Sequence, residues 1–480
     1  MSHPHTGEQF TQFGWFVCLW ILLIPFQYGY HISVLNQIQA VLTCKDGSPD
    51  TRHYLYGLPT CLPMSDFTFS VVTAVFTVGG LGGSMVANVV MDRWGRRGAA
   101  RASSILVAVG AGLMCVGASV GILGLGRFLV GVGAGIGLCV GPIYLSEIAP
   151  SKISGNVGVL TQLGIVLGIM ITQAIGLRFA TPTQWRSVLF LSAAASVVQF
   201  FLSSVMVESP VWLAGKGKIE PRKVAAHKLW GVAAPATLSG ASVEDPLLDN
   251  LEAHRDENVA ALTVPQVIAA PDIRKPLAIV CFAMLSQQLS GTVVAHSFYL
   301  ISQWFIVLYY SNDILSKSLP ELGPYVSLGI TVVNVLMTFP PIILIERVGR
   351  RRLLFVSTFG AISSLVLVGL GLNIGAVTLS SVAILTFVTS FAIGLGPVPF
   401  VLIPEVSPHH AVSALSSIAL SLNWTANFLV GLVFLPLRNF LADGEATKEG
   451  RVFYVFAVAL FCSMVQQTFA QTAAIESVPE

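Results

Sequence analysis

The sequence predicts an all-α membrane protein with twelve transmembrane helices in two six-helix, pseudo-symmetric halves. Three observations support this fold class: the composition, the spacing of the apolar runs and a repeated charged string. Of the 480 residues, 54% are hydrophobic and only 10% are charged, and the mean hydropathy is +0.76. Soluble domains carry about 25% charged residues, so this chain has too little polar surface to cover a globule in water. The lipid bilayer is therefore the first partner that the composition predicts.

A short charged string occurs twice, each time between two apolar runs. Asp92–Arg97 has the sequence DRWGRR, and Glu346–Arg351 has the related sequence ERVGRR. Each copy is followed by a Gly-Pro pair and then by a carboxylate, which is Glu147 in the first half and Glu405 in the second. One copy per half indicates an internal duplication, and duplicated membrane bundles are typical of secondary transporters.

The apolar runs divide the chain into six spans, a polar linker and six further spans. A span needs about 20 apolar residues at a rise of about 1.5 Å each. The predicted spans are Gly14–Leu35, Phe67–Met91, Ala102–Gly121, Ile122–Ile148, Val157–Leu177, Val188–Val207, Pro276–Tyr310, Tyr325–Ile345, Leu353–Leu372, Val377–Ile403, Ala411–Leu437 and Phe453–Thr472. This predicts an N-terminal bundle over residues 1–207, a cytoplasmic linker with short helices over 208–275 and a C-terminal bundle over 276–480.

The linker is the longest polar segment, and two parts of it have helical spacing. Pro221–Leu229 is basic, whereas Leu247–Leu262 is acidic and amphipathic. They form either a tether with short surface helices or a latch that packs under the bundle. Arginine and lysine concentrate in this linker and in both charged strings, and such residues favour the cytoplasmic side of a membrane. The sequence therefore predicts a multi-pass membrane protein with both termini in the cytoplasm.

The remaining composition argues against other classes of protein. A net charge of +2 without a basic tail gives no indication of a nucleic-acid partner. The sequence has no cluster of metal ligands and no nucleotide-binding motif, so we expect neither an enzyme nor a cofactor or metal site. Cys44 and Cys61 flank the first long loop. They can pair if that loop faces an oxidising space, and the sequence leaves this open.

Several motifs resemble the sugar-porter family of the major facilitator superfamily. The fourth apolar run contains GRFLVG at Gly126–Gly131 and PIYLSEIAP at Pro142–Pro150. QLGI at Gln162–Ile165, QQLSG at Gln287–Gly291 and NWTANF at Asn423–Phe428 match the family too. The resemblance covers nearly the whole chain and includes facilitative glucose transporters and a fungal vacuolar branch. It implies the major facilitator fold, sugar transport, and a location in a vacuolar or other internal membrane or in the plasma membrane.

Charged residues at the ends of the spans are candidates for a gate. A carboxylate near lipid is costly unless it is paired, and the guanidinium fork of arginine binds a carboxylate with two hydrogen bonds. We expect ion pairs that hold one closed conformation; the alternative is that these residues only set the topology. The candidate gating residues are Asp92, Arg96, Arg97, Glu147, Glu346, Arg350, Arg351 and Glu405. The resemblance implies an arginine after each span-end glutamate, but Ser154 and Val412 occupy these positions, which should loosen the gate.

Uncharged amides near the centres of the spans are candidates for substrate binding. Amides in hydrocarbon are costly unless they are satisfied, which favours a wet cavity for a neutral solute. Hydrogen bonding between helices is the alternative. By resemblance, the substrate-binding candidates are Gln162, Gln287, Gln288, Asn334, Phe400 and Asn427. Phe400 replaces a tryptophan of the glucose-transporter pattern, Ala392 a glutamate and Val293 an asparagine, so we expect weaker hexose binding or a different solute.

His31 in the first span departs from the family in another way. The resemblance implies an aspartate at this position in proton-coupled members and an asparagine in uniporters. Histidine titrates near pH 6.5 when it is unperturbed. One hypothesis is therefore that His31 couples transport to protons or senses luminal acid. The other is that a neutral imidazole serves as the asparagine does.

The seventh apolar run is too long for one span. From Pro276 to Ser311 a helix would extend about 54 Å, well beyond a hydrocarbon core of about 30 Å. Relative to the family, Thr292–Val307 is an insertion. It is either a genuine extension or sequence translated from a retained intron.

These observations favour a secondary transporter of a hexose or related small neutral solute that works by alternating access, as a uniporter or as a proton symporter. A transporter of a polyol such as inositol is an alternative within this class. A non-transporting sugar receptor is an alternative of a different class. By resemblance such receptors carry long cytoplasmic tails, whereas this chain ends at Glu480, soon after the last span.

Overall fold

The computed structural model describes residues 9–44, 54–55, 57–231, 261–292, 323–443, 445 and 448–475. Within these residues the regular structure is helical apart from one antiparallel hairpin of two short strands, β1 (Tyr54–Leu55) and β2 (Leu58–Pro59). The helices are α1 (Gln12–Leu42), α2 (Asp66–Val116), α3 (Val120–Ile148), α4 (Ser154–Phe179), α5 (Trp185–Leu202), α6 (Pro210–Gly215), α7 (Ile219–Trp230), α8 (Val264–Ala269), α9 (Arg274–Gln287), α10 (Gly323–Val348), α11 (Arg350–Asn373), α12 (Val377–Ser390), α13 (Val398–Val406), α14 (Val412–Ala442) and α15 (Arg451–Ile475). Short π-helical turns follow α9 (Gln288–Thr292) and α12 (Phe391–Leu395).

Helix α2 contains two membrane spans joined without a loop. Its 51 residues would extend about 77 Å, more than twice the hydrocarbon core. Gly95 interrupts the helix with φ 79° and ψ 179°, backbone angles that favour glycine. The first charged string is thus a sharp corner. The third span begins directly after this corner and not at Ala102 as predicted.

The predicted twelve-span architecture is confirmed. Among the described residues, nine helical stretches are long and apolar enough to cross a membrane, and α2 accounts for two spans. The seventh span corresponds to α9 with its π turn and the twelfth to α15, while the turn at Phe391–Leu395 divides the tenth into α12 and α13. Most of the predicted insertion at Thr292–Val307, including Val293, lies outside the described residues.

Each group of six spans has its own buried apolar core. One core joins α1 to α5 and also takes in Phe400 and Trp424 from the C-terminal part of the chain. The other core is built mainly from α10 to α15. The two groups meet where α2 packs on α14 and where α4 packs on α10. Because lipid offers no hydrophobic drive to join helices, such seams depend on close packing and on hydrogen bonds between helices.

The two described ends of the linker attach to different groups of spans. At the start of α1, the N–H of Thr11 donates to the Leu229 carbonyl of α7 at 2.9 Å. At the other end, the N–H of Leu262 donates to the carbonyl of His410, just before α14, at 2.8 Å. The predicted basic helix is confirmed as part of α7, whereas the predicted acidic helix lies almost wholly outside the described residues.

A disulfide closes the loop between α1 and α2. Cys44 and Cys61 are bonded, with their Cα atoms 5.3 Å apart, which resolves the question that the sequence leaves open. The loop is also held to α5, because the Trp185 indole N–H donates to the Thr60 carbonyl at 2.6 Å. We call the end of the bundle that carries the two charged strings the arginine-rich face. The disulfide lies at the opposite end.

Replacing both Cys44 and Cys61 with serine should lower the free energy of unfolding by about 3 kcal/mol, because the unfolded chain regains the freedom of the closed loop. Thermal unfolding of the purified protein in detergent measures this loss, and adding a reductant to the wild type should reproduce it. Cys462→Ser is the matched control, since Cys462 is a free, exposed cysteine. A double serine variant that unfolds at the wild-type temperature would contradict the prediction.

Candidate functional site

A break in the tenth span forms the centre of the candidate site. Helix α12 ends in the π turn Phe391–Leu395, and α13 begins after two further residues. The side chain of Gln287, at the end of α9, reaches this break: its Nε2 donates to the Leu395 carbonyl at 3.2 Å and to the Gly396 carbonyl at 2.9 Å. From α14, Asn423 Nδ2 donates to Gln287 Oε1 at 3.0 Å. One amide therefore joins three spans of the second half.

Gln162 brings the first half of the chain to the same break. Its side chain packs against Gly396, where an added Cβ would lie 3.1 Å from both Cδ and Nε2 of Gln162. Beside Gln287, the Oε1 of Gln288 accepts a hydrogen bond from Asn427 Nδ2 at 3.3 Å. Four of the six predicted substrate-binding residues thus lie at one centre that both halves reach.

The other two predicted binding residues lie on α10 and α13. Asn334 Oδ1 is buried and has no hydrogen-bond partner among the described residues. An acceptor left unpaired in a dry interior costs free energy, so this oxygen suits a hydroxyl group of a ligand. Phe400 is buried in the apolar core that it shares with the first half. Contact of either residue with substrate stays a prediction.

An aromatic contact joins the two halves, and no motif in the sequence predicts it. Trp424 of α14 packs edge-on against Tyr28 and against Phe76, with ring centroids 5.5 Å apart in each pair. Gly80 makes room for the indole, since a Cβ there would lie 2.5 Å from its ring atoms. The signal was available, because Trp424 belongs to the NWTANF motif. The motif does not reveal which way the side chain points.

His31 is fully buried in a hydrogen-bonded group inside the first half. Its Nε2 lies 2.6 Å from Ser192 Oγ, and that hydroxyl donates to Gln27 Oε1 at 2.7 Å. Because the hydroxyl hydrogen is used there, Nε2 carries the ring hydrogen and Nδ1 is the bare nitrogen. Nδ1 has no partner among the described residues. The Arg127 guanidinium lies close by and donates to the His31 carbonyl at 2.7 Å.

The first charged string forms a buried ion pair at the arginine-rich face. Arg96 donates to both carboxylate oxygens of Glu147, from Nη2 at 2.8 Å and from Nε at 2.9 Å. Both side chains are only 5% exposed. Asp92 lies 3.9 Å from Arg96. The structure therefore brings this arginine to the carboxylate at the end of the fourth span.

Arg97 lies beside this pair and has different partners. Its Nη1 donates to the Met206 carbonyl at 2.8 Å. The backbone N–H groups of Arg96 and Arg97 donate to Glu208 Oε1 at 2.8 and 3.1 Å. Glu208 thus caps the corner of α2, where the first N–H groups of the third span have no helical partner. Burial raises the pKa of Glu208, and the backbone hydrogen bonds that it accepts act in the opposite direction.

The second charged string forms a more exposed cluster that also contacts the first half. Arg350 Nη2 donates to Glu405 at 2.7 Å and Arg350 Nη1 donates to Glu346 at 2.9 Å. These three side chains are 26%, 26% and 32% exposed. Glu346 Oε1 also accepts a hydrogen bond from the backbone N–H of Gly155 at 3.0 Å, which joins the eighth span to the fifth. Arg351 is exposed.

The two positions where the family resemblance implies an arginine carry no charge. Ser154 is the first residue of α4, and its neighbour Gly155 supplies the N–H to Glu346. Val412 begins α14 and is buried in the apolar core. A backbone hydrogen bond therefore lies near one of the positions where the resemblance implies a charged side chain.

The fold and this centre define a membrane transporter of the major facilitator type, with two six-helix bundles, amides at the middle and ion pairs at one face. The family model described as "Sugar (and other) transporter" matches residues 17–478. The chain belongs to this family.

Two relatives and one solved structure show the extent of the similarity. The chain is 30% identical over 462 residues to "Probable metabolite transport protein YBR241C" of Saccharomyces cerevisiae, covering 93% of this chain and 90% of the relative. It is 32% identical over 448 residues to solute carrier family 2, facilitated glucose transporter member 4, of Mus musculus, covering 90% and 83%. The major facilitator proton:xylose symporter XylE, bound to 6-bromo-6-deoxy-D-glucose, superposes with a TM-score of 0.73 at 17% identity over 94% of both chains. At that identity the structure supports the fold alone.

Glu147→Gln should destabilise the protein more than Glu405→Gln. The first change leaves the buried Arg96 guanidinium without its main counter-ion, at a cost of about 3–5 kcal/mol. The second affects a partly exposed pair and leaves Glu346 beside Arg350, so about 1 kcal/mol or less is expected. Thermal unfolding in detergent compares the two, with Glu220→Gln on the exposed face of α7 as the control. Equal losses for Glu147→Gln and Glu405→Gln would show that burial does not separate the two clusters.

Glu208 should give stability a pH dependence that Glu208→Gln removes. Its pKa is raised in the folded protein, so the folded state takes up a proton at a pH where the unfolded state does not. The wild type should therefore gain stability relative to the variant as pH falls from neutral through the raised pKa, and the gain should level off below about pH 4.3, where the unfolded glutamate is protonated too. Unfolding temperatures between these limits measure it, and parallel curves would exclude it.

Proposed function

We propose that the protein carries a hexose or a related small neutral solute across the membrane by alternating access. The observation that carries this proposal is the convergence of Gln162 from the first half and Gln287 from the second on Gly396. A ligand held at this centre is contacted by both halves. Rocking of one half against the other then moves its exposure from one side of the membrane to the other.

Uncharged amides at this centre favour a ligand rich in hydroxyl groups. Outside this centre, Asn334 Oδ1 on α10 and Gln173 Nε2 on α4 are both buried without a hydrogen-bond partner among the described residues, and a hydroxyl can serve either as donor or as acceptor. Within the same residues, no group of His, Cys, Asp or Glu is arranged to hold a metal ion. The mouse relative is named a facilitated glucose transporter, which favours a sugar over a polyol. Since Phe400 and Ala392 replace larger or charged residues of that pattern, hexose should bind more weakly here.

The proposed gate is the arginine-rich face. The moving bodies are the halves at residues 1–207 and 276–480, joined by the linker at 208–275. The Arg96–Glu147 pair lies within the first half and can persist through the motion. The hydrogen bond from Gly155 to Glu346 joins the halves, so it has to break when this face opens. Because a backbone N–H replaces a charged side chain there, this closure is weak.

We place the arginine-rich face and both termini in the cytoplasm, for two independent reasons. Arginine and lysine in short loops favour the cytoplasmic side. The Cys44–Cys61 disulfide lies at the opposite end, and disulfides persist in oxidising spaces such as the cell exterior or an organelle lumen. The membrane is then the plasma membrane or an internal one such as that of the vacuole.

We favour uniport over proton symport. His31 has one nitrogen occupied by Ser192, and its carbonyl is held by the buried Arg127. A proton on Nδ1 would add a second positive charge beside that guanidinium in a dry interior, which is costly. A neutral imidazole that keeps the hydrogen bond to Ser192 serves as an asparagine does.

The test of the proposed function is uptake by purified protein in liposomes, with labelled glucose, xylose and inositol, with and without a pH gradient. We expect saturable uptake of a labelled sugar. The same sugar, unlabelled, on the opposite side of the membrane should accelerate this uptake. Gln162→Ala should reduce that uptake. Folded protein that moves none of these solutes under any gradient would sink the proposal, and binding without uptake would point to the receptor alternative.

His31→Asn should leave the pH profile of sugar uptake unchanged between pH 5 and 8. The amide can keep the hydrogen bond to Ser192 and carries no titratable proton. Uptake against external pH in the same liposomes measures this, with Ser192→Ala as a control that removes the hydrogen bond and keeps the histidine. A profile that loses its acid dependence in His31→Asn would establish proton coupling through this residue.

A further inference from the structure

Pro399 leaves a backbone carbonyl of the tenth span without its helical donor. In an α-helix the carbonyl of Leu395 would accept a hydrogen bond from the N–H four residues later. Residue 399 is proline and has no N–H. Leu395 is fully buried, and an unpaired carbonyl in such a place costs as much as a lost hydrogen bond or more.

Gln287 supplies the missing donor. Its Nε2 donates to the Leu395 carbonyl at 3.2 Å and to the Gly396 carbonyl at 2.9 Å, so both of its hydrogens are engaged. Gln287 is 4% exposed and Asn423, which donates to its Oε1, is 5% exposed. A primary amide has a donor end and an acceptor end. The hydrogen bond from Asn423 therefore selects the orientation in which the donor end faces the break. In the reverse orientation, the NH2 group of Gln287 would face the NH2 group of Asn423, and Oε1 of Gln287 would face the carbonyl oxygens of Leu395 and Gly396.

We infer that Asn423 is a positioning residue for substrate. It holds the Gln287 amide in the orientation that donates to the Leu395 and Gly396 carbonyls, and we call these two hydrogen bonds the brace. A sugar that takes a hydrogen bond from Gln287 Nε2 displaces the brace. The inference rests on the proposed transport function. It links ligand binding to the shape of the tenth span without any charged group. Gln162 of the first half packs on Gly396 in the same break. A change in the shape of the tenth span therefore alters a contact between the two halves.

The transport test replaces Asn423 by leucine, which has a similar shape and no hydrogen-bond donor. The Gln287 amide is then oriented only by the carbonyls of Leu395 and Gly396, and a sugar that displaces them leaves it with no fixed orientation. We expect the KM for sugar uptake to rise about tenfold, as for one lost buried hydrogen bond, while kcat changes much less. Thr425→Val is the matched control, since the bond of that hydroxyl among the described residues stays within its own helix, to the Ser421 carbonyl at 2.8 Å. An unchanged KM for Asn423→Leu, or an equal rise in Thr425→Val, would overturn the inference.

A second measurement does not require transport. Hydrogen–deuterium exchange of the amides over residues 396–403 reports how firmly the break is held. Asn423→Leu and Gln287→Leu should each raise this exchange, and the double variant should exchange no faster than Gln287→Leu alone, because Asn423 acts through Gln287. Additive increases, or none, would overturn the inference. If the exchange follows the expected pattern while the wild type moves no solute, the transport proposal fails and the brace stands.

Asn423→Ser is the variant to use if leucine prevents folding. A serine hydroxyl is a shorter donor and should hold the Gln287 amide only in part. Its KM and its exchange over residues 396–403 are expected to lie between those of the wild type and those of Gln287→Leu. Values equal to the wild type in both measurements would remove Asn423 from the positioning role.

Discussion

Inside a membrane bundle, a backbone N–H or C=O group outside a regular helix has no water to form a hydrogen bond with. The rest of this structure depends on how other groups of the protein satisfy such N–H and C=O groups. Two helices are interrupted at important places. At the corner of α2 the N–H groups of Arg96 and Arg97, which have no helical partner, donate to the carboxylate of Glu208. At the break in the tenth span, the carbonyls of Leu395 and Gly396 are taken by the Gln287 amide. Each interruption is therefore stable only together with a side chain from another part of the chain.

The duplicated charged strings have similar sequences and different physical roles. The pair formed by Arg96 and Glu147 is buried and ties the third span to the fourth, and Asp92 at the end of the second span lies 3.9 Å from Arg96. Arg350 binds two carboxylates in a more exposed cluster. One of these carboxylates, that of Glu346, also contacts the other half. Both copies of the motif thus pair an arginine with a glutamate. The buried copy joins spans of one bundle, and the more exposed copy also contacts the other bundle.

Much of the architecture could be predicted from the sequence, because span length and charge are local properties. The spans and the pairing of Arg96 with Glu147 follow from residue types and spacing, whereas the amides at the centre are predicted by resemblance to the sugar-porter family. The sharp corner at Gly95 could not be predicted, since a positive φ is not visible in hydropathy. The contacts of Glu208 and Trp424 could not be predicted either, because the sequence does not show which way these side chains point. The internal bonding of Gln287 depends on Asn423, which is distant in sequence, so no local pattern could indicate which way that amide points.

The indole of Trp424 sits in a notch that exists because Gly80 has only a hydrogen atom where other residues have a side chain. The contact between Trp424 and Gly80 involves no ion pair. A single methyl group at that position would act as a wedge between the two bundles. The balance between the two access states can therefore change during evolution through the size of the residue at position 80. Such a change needs no replacement of the amides at the centre of the candidate site.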